Sequence, residues 1–263
     1  MKILKNDYGV DYVWFADENF SADRETLIRL LNLIVEAKLD ISLNINMTAA
    51  DVVRDADIIP LYEAAGVDYI VMGVESLKDE VVTKIRKNNP FEVSKEAVRL
   101  LRQNNILSLT NIIYGLEDES WKTIREKFKN LLELDSDILN ACYIMPHFWT
   151  SQGRGVKPDS VIQSDLSKWS YRNQIVATPY LKPSELFLGV KFTEALYHLR
   201  PKALKRIFFS KDKNFRKIFH SSMWAGIRVI FAEIFEFVFQ TEFSEQGSVK
   251  KLPGLETHLP LLK

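Results

Sequence analysis

Apolar residues along the first 150 positions form two alternating kinds of run. Short runs rich in β-branched and aromatic residues predict five strands, at 12–16, 41–45, 68–72, 106–114 and 138–145. Between them, apolar residues recur every three or four positions and predict helices, including 94–104, 121–134 and one near 79–87. Ser21 is predicted to cap the first helix, and Asp57 to open one that ends at Gly66.

The spacing of the predicted strands indicates the fold. Successive strands start 27 to 38 residues apart, the length of a βα unit, so the strands should be parallel with right-handed crossovers. We expect an α/β fold, a partial (β/α) barrel, because five strands are too few to close the standard eight-stranded barrel. A doubly wound sheet is the alternative, although no Gly-x-Gly-x-x-Gly loop follows any strand. No element is expected before the first strand, which starts close to Met1.

The pattern changes after residue 149. Prolines and glycines between Gly153 and Pro158 predict an extended connector over 150–183. Helical periodicity then predicts an α-helical C-terminal region over 184–240, with helices at about 184–200, 201–209 and 213–240. The tail 241–263 mixes Ser, Gly, Pro and charged residues and is expected to be disordered. The predicted barrel therefore occupies 1–149.

Composition narrows the function only slightly. The 263 residues are 46% hydrophobic and contain 35 basic and 35 acidic side chains, so net charge gives no reason to expect a nucleic-acid partner. Cys142 is the only cysteine, which excludes an internal disulfide or an all-cysteine metal site within this sequence and favours a cytoplasmic setting. No signal-peptide pattern follows Met1, and no window of about twenty residues is free of charge.

The most informative stretch is Tyr69–Ser76. Four apolar residues lead to Gly73, and Glu75 and Ser76 follow. Ligands of α/β folds bind beyond the carboxyl ends of parallel strands, where glycine lets a ligand approach the backbone and a carboxylate accepts hydrogen bonds from hydroxyl or amino groups. The alternative is a plain buried strand whose Glu75 caps the next helix. Other predicted strands end in similar residues, each a site candidate or a turn residue: Asp17 and Asn19, Asn46 and Thr48, Gly115 and Glu117, and His147.

Two features of the C-terminal part have two interpretations each. His147 is either a base or ligand, or a solvated loop residue. Between Arg200 and Lys217 lie eight basic residues and one acid, Asp212. Next to the aromatic helix predicted at 213–240, this stretch is either a solvated helix face or a contact surface for carboxylates or an anionic membrane.

Several short segments carry a family resemblance. The barrel region resembles cobalamin-dependent radical S-adenosylmethionine enzymes at Trp14–Phe20, Val52–Asp57, Glu63–Gly66, Met72–Ser76, Ile85–Lys87 and Tyr114–Ser120. Four later segments are similar to one branch, the anaerobic magnesium-protoporphyrin IX monomethyl ester oxidative cyclases: Pro146–Trp149, Gln163–Asp165, Trp169–Tyr171 and Leu199–Leu204. The resemblance covers roughly residues 10–240.

The resemblance implies a fold, cofactors and site residues. Members have a six-stranded partial barrel in which a [4Fe–4S] cluster binds S-adenosylmethionine, and its reductive cleavage gives a radical that abstracts hydrogen from the substrate. Gly73 and Glu75 are then expected to contact S-adenosylmethionine, with Gly115 nearby and with Asp17 and Asn19 on the strand beside the cluster loop. His147, Phe148 and Trp149 are the expected substrate-side residues, against a porphyrin or another large hydrophobic molecule.

The chain departs from the family pattern in one respect. The family's Cys-x-x-x-Cys-x-x-Cys loop lies before the strand that starts here at residue 12, and this sequence does not contain it. The first barrel strand and the cobalamin-binding domain would also lie upstream. Two hypotheses follow: the C-terminal part of a radical enzyme that is inactive alone and needs an upstream chain, or a non-catalytic barrel remnant that binds a partner or an anionic membrane surface through 200–240.

Overall fold

A computed structural model describes residues 1–74, 91–147, 149–163 and 165–239. They form two compact units. The first contains Met1–Ile112, Asn130–Asn140 and Tyr197–Ser222, and the second contains Ile113–Lys129, Ala141–Leu196 and the residues from Met223 onward. The helix predicted near 79–87 and the tail 241–263 lie outside the described residues.

Five strands form one sheet whose spatial order equals their order in the chain: β1 (Tyr12–Trp14), β2 (Ser42–Met47), β3 (Val67–Gly73), β4 (Leu107–Tyr114) and β5 (Ile138–Tyr143). The pairs β1–β2, β2–β3 and β3–β4 are parallel. A sheet that grows on the same side with every βα unit is part of a barrel, whereas a doubly wound sheet reverses its strand order. The predicted partial barrel is confirmed, and the doubly wound alternative is wrong.

Helices connect the strands and follow the last of them. They are α1 (Lys2–Asn6), α2 (Arg24–Ala37), α3 (Ala49–Arg54), α4 (Ile59–Ala64), α5 (Phe91–Gln103), α6 (Trp121–Leu134), α7 (Ser151–Arg154), α8 (Pro183–His198), α9 (Pro201–Phe209) and α10 (Lys213–Phe239). Helices α6 and α9 have the predicted bounds, and the helical C-terminal region is confirmed. Among the described residues, no helix has the length and apolarity needed to cross a membrane.

The start of the chain differs from the prediction. The first strand is three residues long instead of five. The Phe15 backbone nitrogen still donates to the Asn44 carbonyl oxygen at 3.0 Å, and the Phe15 ring packs against Phe20, with 4.6 Å between centroids. Helix α1 precedes the strand, so the expectation that no element comes before it was wrong. Lys5 on α1 donates to Asp11 at 2.5 Å and to the carbonyl oxygen of Asp40 at 3.0 Å, which fixes the helix beside the sheet.

Two predicted helix starts were also wrong. Asp23 caps α2 instead of Ser21, since its carboxylate accepts hydrogen bonds from the backbone of Glu25 and Thr26, while Ser21 is fully buried. A carboxylate accepts both bonds at a helix start, where the dipole favours negative charge.

Helix α4 begins at Ile59, and Asp57 lies before it. Asp57 instead accepts two hydrogen bonds from Arg24, at 2.7 and 2.8 Å. Gly66 follows α4 with φ +83°. A Cβ there would lie 2.5 Å from the carbonyl oxygen of Ile41, so glycine is required where these two backbone segments meet.

The segment predicted as an extended connector, 150–183, contains short elements. These are α7, two 3₁₀ turns at Pro158–Ser160 and Leu166–Lys168, and an antiparallel bridge between Val161 and Val176. Val161, Ile162 and Ile175 are buried, which anchors the segment within the second unit.

Candidate functional site

The two faces of the sheet have different surroundings. Along the strands, residues alternate between buried positions and half-exposed ones, as expected when helices cover one face. We call the alternating half-exposed positions of β2 to β5 in the first unit the inner face: Ser42, Asn44, Asn46, Tyr69, Val71, Gly73, Leu109, Asn111, Ile138 and Asn140. Among the described residues of the first unit, this face is the less buried of the two.

Polar residues concentrate at the carboxyl-terminal end of the inner face. Gly73 on β3 lies opposite Asn111 on β4. The side chain of Asn140 donates to that of Asn111 at 2.9 Å. These three positions put a residue without a side chain beside two amides, so a ligand can approach the backbone next to hydrogen-bonding groups.

Asn111 and Asn140 were not predicted as site residues from the sequence. Both strands look apolar enough to be buried on both faces, so their polar positions received no weight. The signal was present, because a polar residue at alternate positions of a strand indicates a face that is not packed against helices.

Asn19 belongs to a hydrogen-bond network at the start of α3. Its amide nitrogen donates to Asp51 at 2.9 Å, and its oxygen accepts from the Ser21 hydroxyl at 2.9 Å. Asp51 also accepts from Thr48 at 2.7 Å and from Arg54 at 2.6 Å. Asn19 therefore holds the loop after β1 against the end of β2, and its expected role beside a cluster loop stays a prediction.

Asp17 is exposed near the same edge. Its carbonyl oxygen accepts a hydrogen bond of 2.7 Å from the Asn46 side chain, which fixes the backbone. The carboxylate is left accessible to solvent. Asp17 and Asn19 thus follow β1, and Gly73 ends β3, two strands away in the same sheet. Glu75 lies outside the described residues.

The opposite end of the inner face is closed within the first unit. The Tyr69 hydroxyl contacts the Ser222 hydroxyl and donates to the carbonyl oxygen of Ile218 at 3.3 Å. The Tyr69 ring also meets Tyr12 edge-on, with 6.3 Å between centroids. Burial raises the pKa of Tyr69 to about 12. Within the first unit, the start of α10 therefore covers the inner face beside Tyr69.

Gly115 lies in the second unit, in the turn after β4. It has φ +84°, and its backbone nitrogen donates to the Glu119 carboxylate at 3.0 Å. An added Cβ would make only ordinary contacts, 3.6 Å from Ile144 and 3.7 Å from Leu186, so the left-handed conformation accounts for the glycine. Its predicted place near S-adenosylmethionine is untested.

A buried ion pair holds that turn. Glu119 is fully buried, and the Lys127 ammonium donates to it at 2.6 Å. Lys127 also donates to the carbonyl oxygen of Ile113 at 3.0 Å and lies over the Tyr114 ring, 4.6 Å from its centroid. The carboxylate that fixes the Gly115 nitrogen is therefore itself fixed from α6.

The predicted substrate-side residues lie in a loop of the second unit. The ring centroids of His147 and Trp149 are 4.7 Å apart, and 70% of Trp149 is exposed. Arg154 donates to the Trp149 carbonyl oxygen at 2.7 Å, and Thr150 donates to that of His147, also at 2.7 Å. The loop presents the indole to solvent over a histidine ring. Phe148 lies outside the described residues.

The residues present do not fit an iron–sulfur cluster. Such clusters are held by several cysteine thiolates, and Cys142 on β5 is the only cysteine in the sequence. Among the described residues, no group of three or more His, Cys, Asp and Glu side chains is arranged to hold a metal ion.

Comparisons with known proteins agree with this fold. Residues 1–131 match the sequence profile of the Radical SAM superfamily. An anaerobic magnesium-protoporphyrin IX monomethyl ester cyclase of Synechocystis is 35% identical over 236 residues, which cover 90% of this chain and 47% of that protein. The chain therefore spans about half the length of this curated relative.

Two solved structures show the same fold at low sequence identity. Coproporphyrinogen III oxidase (HemN) of Escherichia coli, a radical SAM enzyme, aligns with TM-score 0.53 and 15% identity over 75% of this chain and 45% of that one. The radical S-adenosylmethionine methyltransferase TsrM of Kitasatospora setae, solved with cobalamin and a [4Fe–4S] cluster, aligns with TM-score 0.52 and 20% identity over 62% of this chain and 34% of that one. The sequence profile, the relative and the half-barrel agree: the chain belongs to the radical SAM superfamily.

Proposed function

We propose that this chain is the half-barrel part of a radical S-adenosylmethionine enzyme that transforms a porphyrin or another large hydrophobic substrate, as an oxidative cyclase does. The observation that carries the proposal is the 35% identity to the Synechocystis cyclase, which extends through the barrel into the helical region. The polar residues at the carboxyl-terminal end of the inner face support it, because barrels of this class bind ligands at that end.

The residues at the carboxyl-terminal end of the inner face suit a cofactor that lies against the strand ends and forms hydrogen bonds there. Gly73 leaves the backbone of β3 accessible beside Asn111, whose amide supplies donor and acceptor atoms. Asn19 and Asn46 brace the loop that carries the exposed Asp17. Glu75 would complete this edge by accepting hydrogen bonds from the amino or hydroxyl groups of S-adenosylmethionine.

The cluster ligands must come from outside this sequence. In this superfamily, the cluster supplies the electron that cleaves S-adenosylmethionine to a radical. A single cysteine cannot replace three thiolates, so we infer that the chain alone is inactive and that an upstream segment or chain carries the cysteine loop, with cobalamin bound upstream as well. The chain's own residues then bind and orient the cofactor and substrate.

Trp149 is the proposed contact for a flat macrocycle. An aromatic side chain that is 70% exposed is available to stack on a ligand ring. The His147 ring packs against the Trp149 ring, with 4.7 Å between centroids, and helps to hold it in position. The neighbouring Arg154 would place a cation near the rim, where a porphyrin carries its carboxylates.

The test uses the chain together with its upstream half. Trp149→Ala should weaken the binding of magnesium-protoporphyrin monomethyl ester about twofold to tenfold in a fluorescence titration, the range expected for loss of one aromatic pair. Trp224→Ala, which removes another exposed tryptophan, is the control and should leave binding unchanged. Equal affinities for the Trp149→Ala variant and the parent protein would remove Trp149 from the site. No binding by the intact protein would reject the cyclase assignment.

A second candidate function is a non-catalytic barrel remnant that binds a partner. The missing cluster ligands favour it, because a remnant does not need them. The two candidates differ in one outcome: only the first gains S-adenosylmethionine cleavage when the upstream segment is supplied.

A further inference from the structure

The solvent side of α9 combines two phenylalanines with two lysines. Phe208 and Phe209 are 51% and 77% exposed, and Lys202 and Lys205 are exposed as well. Lys205 lies one turn before both phenylalanines, and Lys202 lies one turn before Lys205, so the four side chains share one face of the helix. We call these four residues the α9 face.

The buried side of the same helix explains why the α9 face is fixed in place. Ala203 and Ile207 are buried in the first unit. Arg206 donates to Asp135 at 3.0 and 3.1 Å. Arg200, which precedes the helix, donates to Asp135 at 3.0 Å. These contacts commit both arginines to the protein interior and leave the lysines outward.

The positive charge continues past the end of α9. Lys211 and Lys213 are exposed, and within the part of the chain that the structure describes neither they nor Lys202 and Lys205 form an ion pair. Asp212, the acid in this stretch, is occupied in part by accepting a hydrogen bond of 2.8 Å from the backbone nitrogen of Phe215. Two exposed aromatic rings therefore lie in a stretch with four lysines that form no ion pair with any described residue.

We propose that the α9 face docks on an anionic lipid bilayer. Phe208 and Phe209 would enter the boundary between headgroups and acyl chains, and the lysines would lie among the headgroup phosphates and carboxylates. Charge complementarity selects this occupant. A second copy of the chain placed symmetrically on the face would bring lysines against lysines, which like-charge repulsion disfavours.

The experiment measures co-sedimentation of the full chain with vesicles. Vesicles of phosphatidylcholine with one third phosphatidylserine should bind it, and pure phosphatidylcholine vesicles should bind it far more weakly. Each lysine near an anionic surface contributes about fivefold in affinity, so Lys202→Ala/Lys205→Ala should lose about thirtyfold. Phe208→Ala/Phe209→Ala should lose about tenfold or more, because the apolar area that enters the bilayer is removed.

Matched control variants distinguish binding through the α9 face from nonspecific electrostatic or hydrophobic binding elsewhere on the surface. Lys122→Ala/Lys129→Ala removes two exposed lysines of α6, and Phe192→Ala removes an exposed phenylalanine of α8. Both controls should bind the anionic vesicles as the parent chain does, and circular dichroism should show that every variant is folded.

Several results would overturn the proposal. These are equal binding to neutral and anionic vesicles, undiminished binding by the phenylalanine variant, or no vesicle binding at all. A chain that binds an RNA oligonucleotide or dimerises through these residues, and ignores vesicles, would assign the α9 face to that partner instead.

Discussion

Replacing Arg200 by methionine should loosen the attachment of α9 to the loop between α6 and β5. The Arg200 side chain is buried, and its guanidinium donates to Asp135 at 3.0 Å, to the Tyr197 carbonyl oxygen at 2.6 Å, and to the carbonyl oxygen of Ser136. It also lies 3.7 Å from the centroid of the Tyr197 ring. Methionine fills the space of the aliphatic stem but supplies none of these polar contacts.

The structure sets the magnitude. Removing one partner of a buried ion pair typically lowers the free energy of unfolding by about 3 to 5 kcal/mol. Because Asp135 keeps two hydrogen bonds from Arg206, we expect a loss at the low end of this range, about 3 kcal/mol. With a urea slope of about 1 to 3 kcal/mol/M, the unfolding midpoint should fall by at least about 1 M. Arg99→Met is the matched control, because Arg99 pairs with Glu96 at the surface and should cost less than about 1 kcal/mol.

Acid should reduce the difference between Arg200→Met and the parent chain. Burial alone would raise the pKa of Asp135, but Arg206, Arg102 and Arg200 together hold it below the ordinary value. A carboxyl with a lowered pKa stabilises the fold above its unfolded pKa of about 4, and this contribution disappears as pH falls through the folded pKa. Urea unfolding curves of both proteins at neutral pH and below pH 4 measure how this difference in stability changes. Equal midpoints for Arg200→Met and Arg99→Met at neutral pH would refute the reasoning.

Two other substitutions test local features of the barrel. Lys127→Met should lower the free energy of unfolding in urea by about 3 kcal/mol, because it leaves Glu119 buried without its cation. The double variant Lys127→Met/Glu119→Gln should recover much of this loss, since it removes the unpaired charge. A double variant that is no more stable than Lys127→Met would contradict this explanation. Gly66→Ala should lower the thermal midpoint by several degrees, since φ is +83° and the new Cβ would clash with the Ile41 carbonyl oxygen. An unchanged midpoint would show that the backbone around Gly66 and Ile41 can make room for a Cβ.

Hydrophobic periodicity was enough to predict the five strands, the partial barrel and most helices. Four βα units in succession leave few topologies open, and α6 and α9 have the predicted bounds. Helix starts were less predictable, because Ser21 and Asp23 are both good caps and the choice depends on burial: Ser21 is drawn into the hydrogen bonds of Asn19.

The candidate site was predictable only in part. Residues that follow a strand in sequence, such as Asp17 and Asn19, could be placed at the correct edge because parallel strands share it. Asn111 and Asn140 could not, since their contact joins two strands and depends on the register between β4 and β5. The hydrogen bond from Gly115 to Glu119 was likewise not predictable, because it depends on the left-handed conformation of Gly115, which the sequence pattern does not fix.

Formation of 5′-deoxyadenosine tests the central claim most directly. After anaerobic reconstitution with iron, sulfide and a reductant, the chain alone should bind no stoichiometric [4Fe–4S] cluster and should not cleave S-adenosylmethionine, because Cys142 is its only cysteine. With an upstream segment that carries the cysteine loop, both the cluster absorbance and 5′-deoxyadenosine should appear. Cleavage by the chain alone would contradict the inferred external cluster site, and no cleavage by the cluster-loaded pair would contradict the radical enzyme itself.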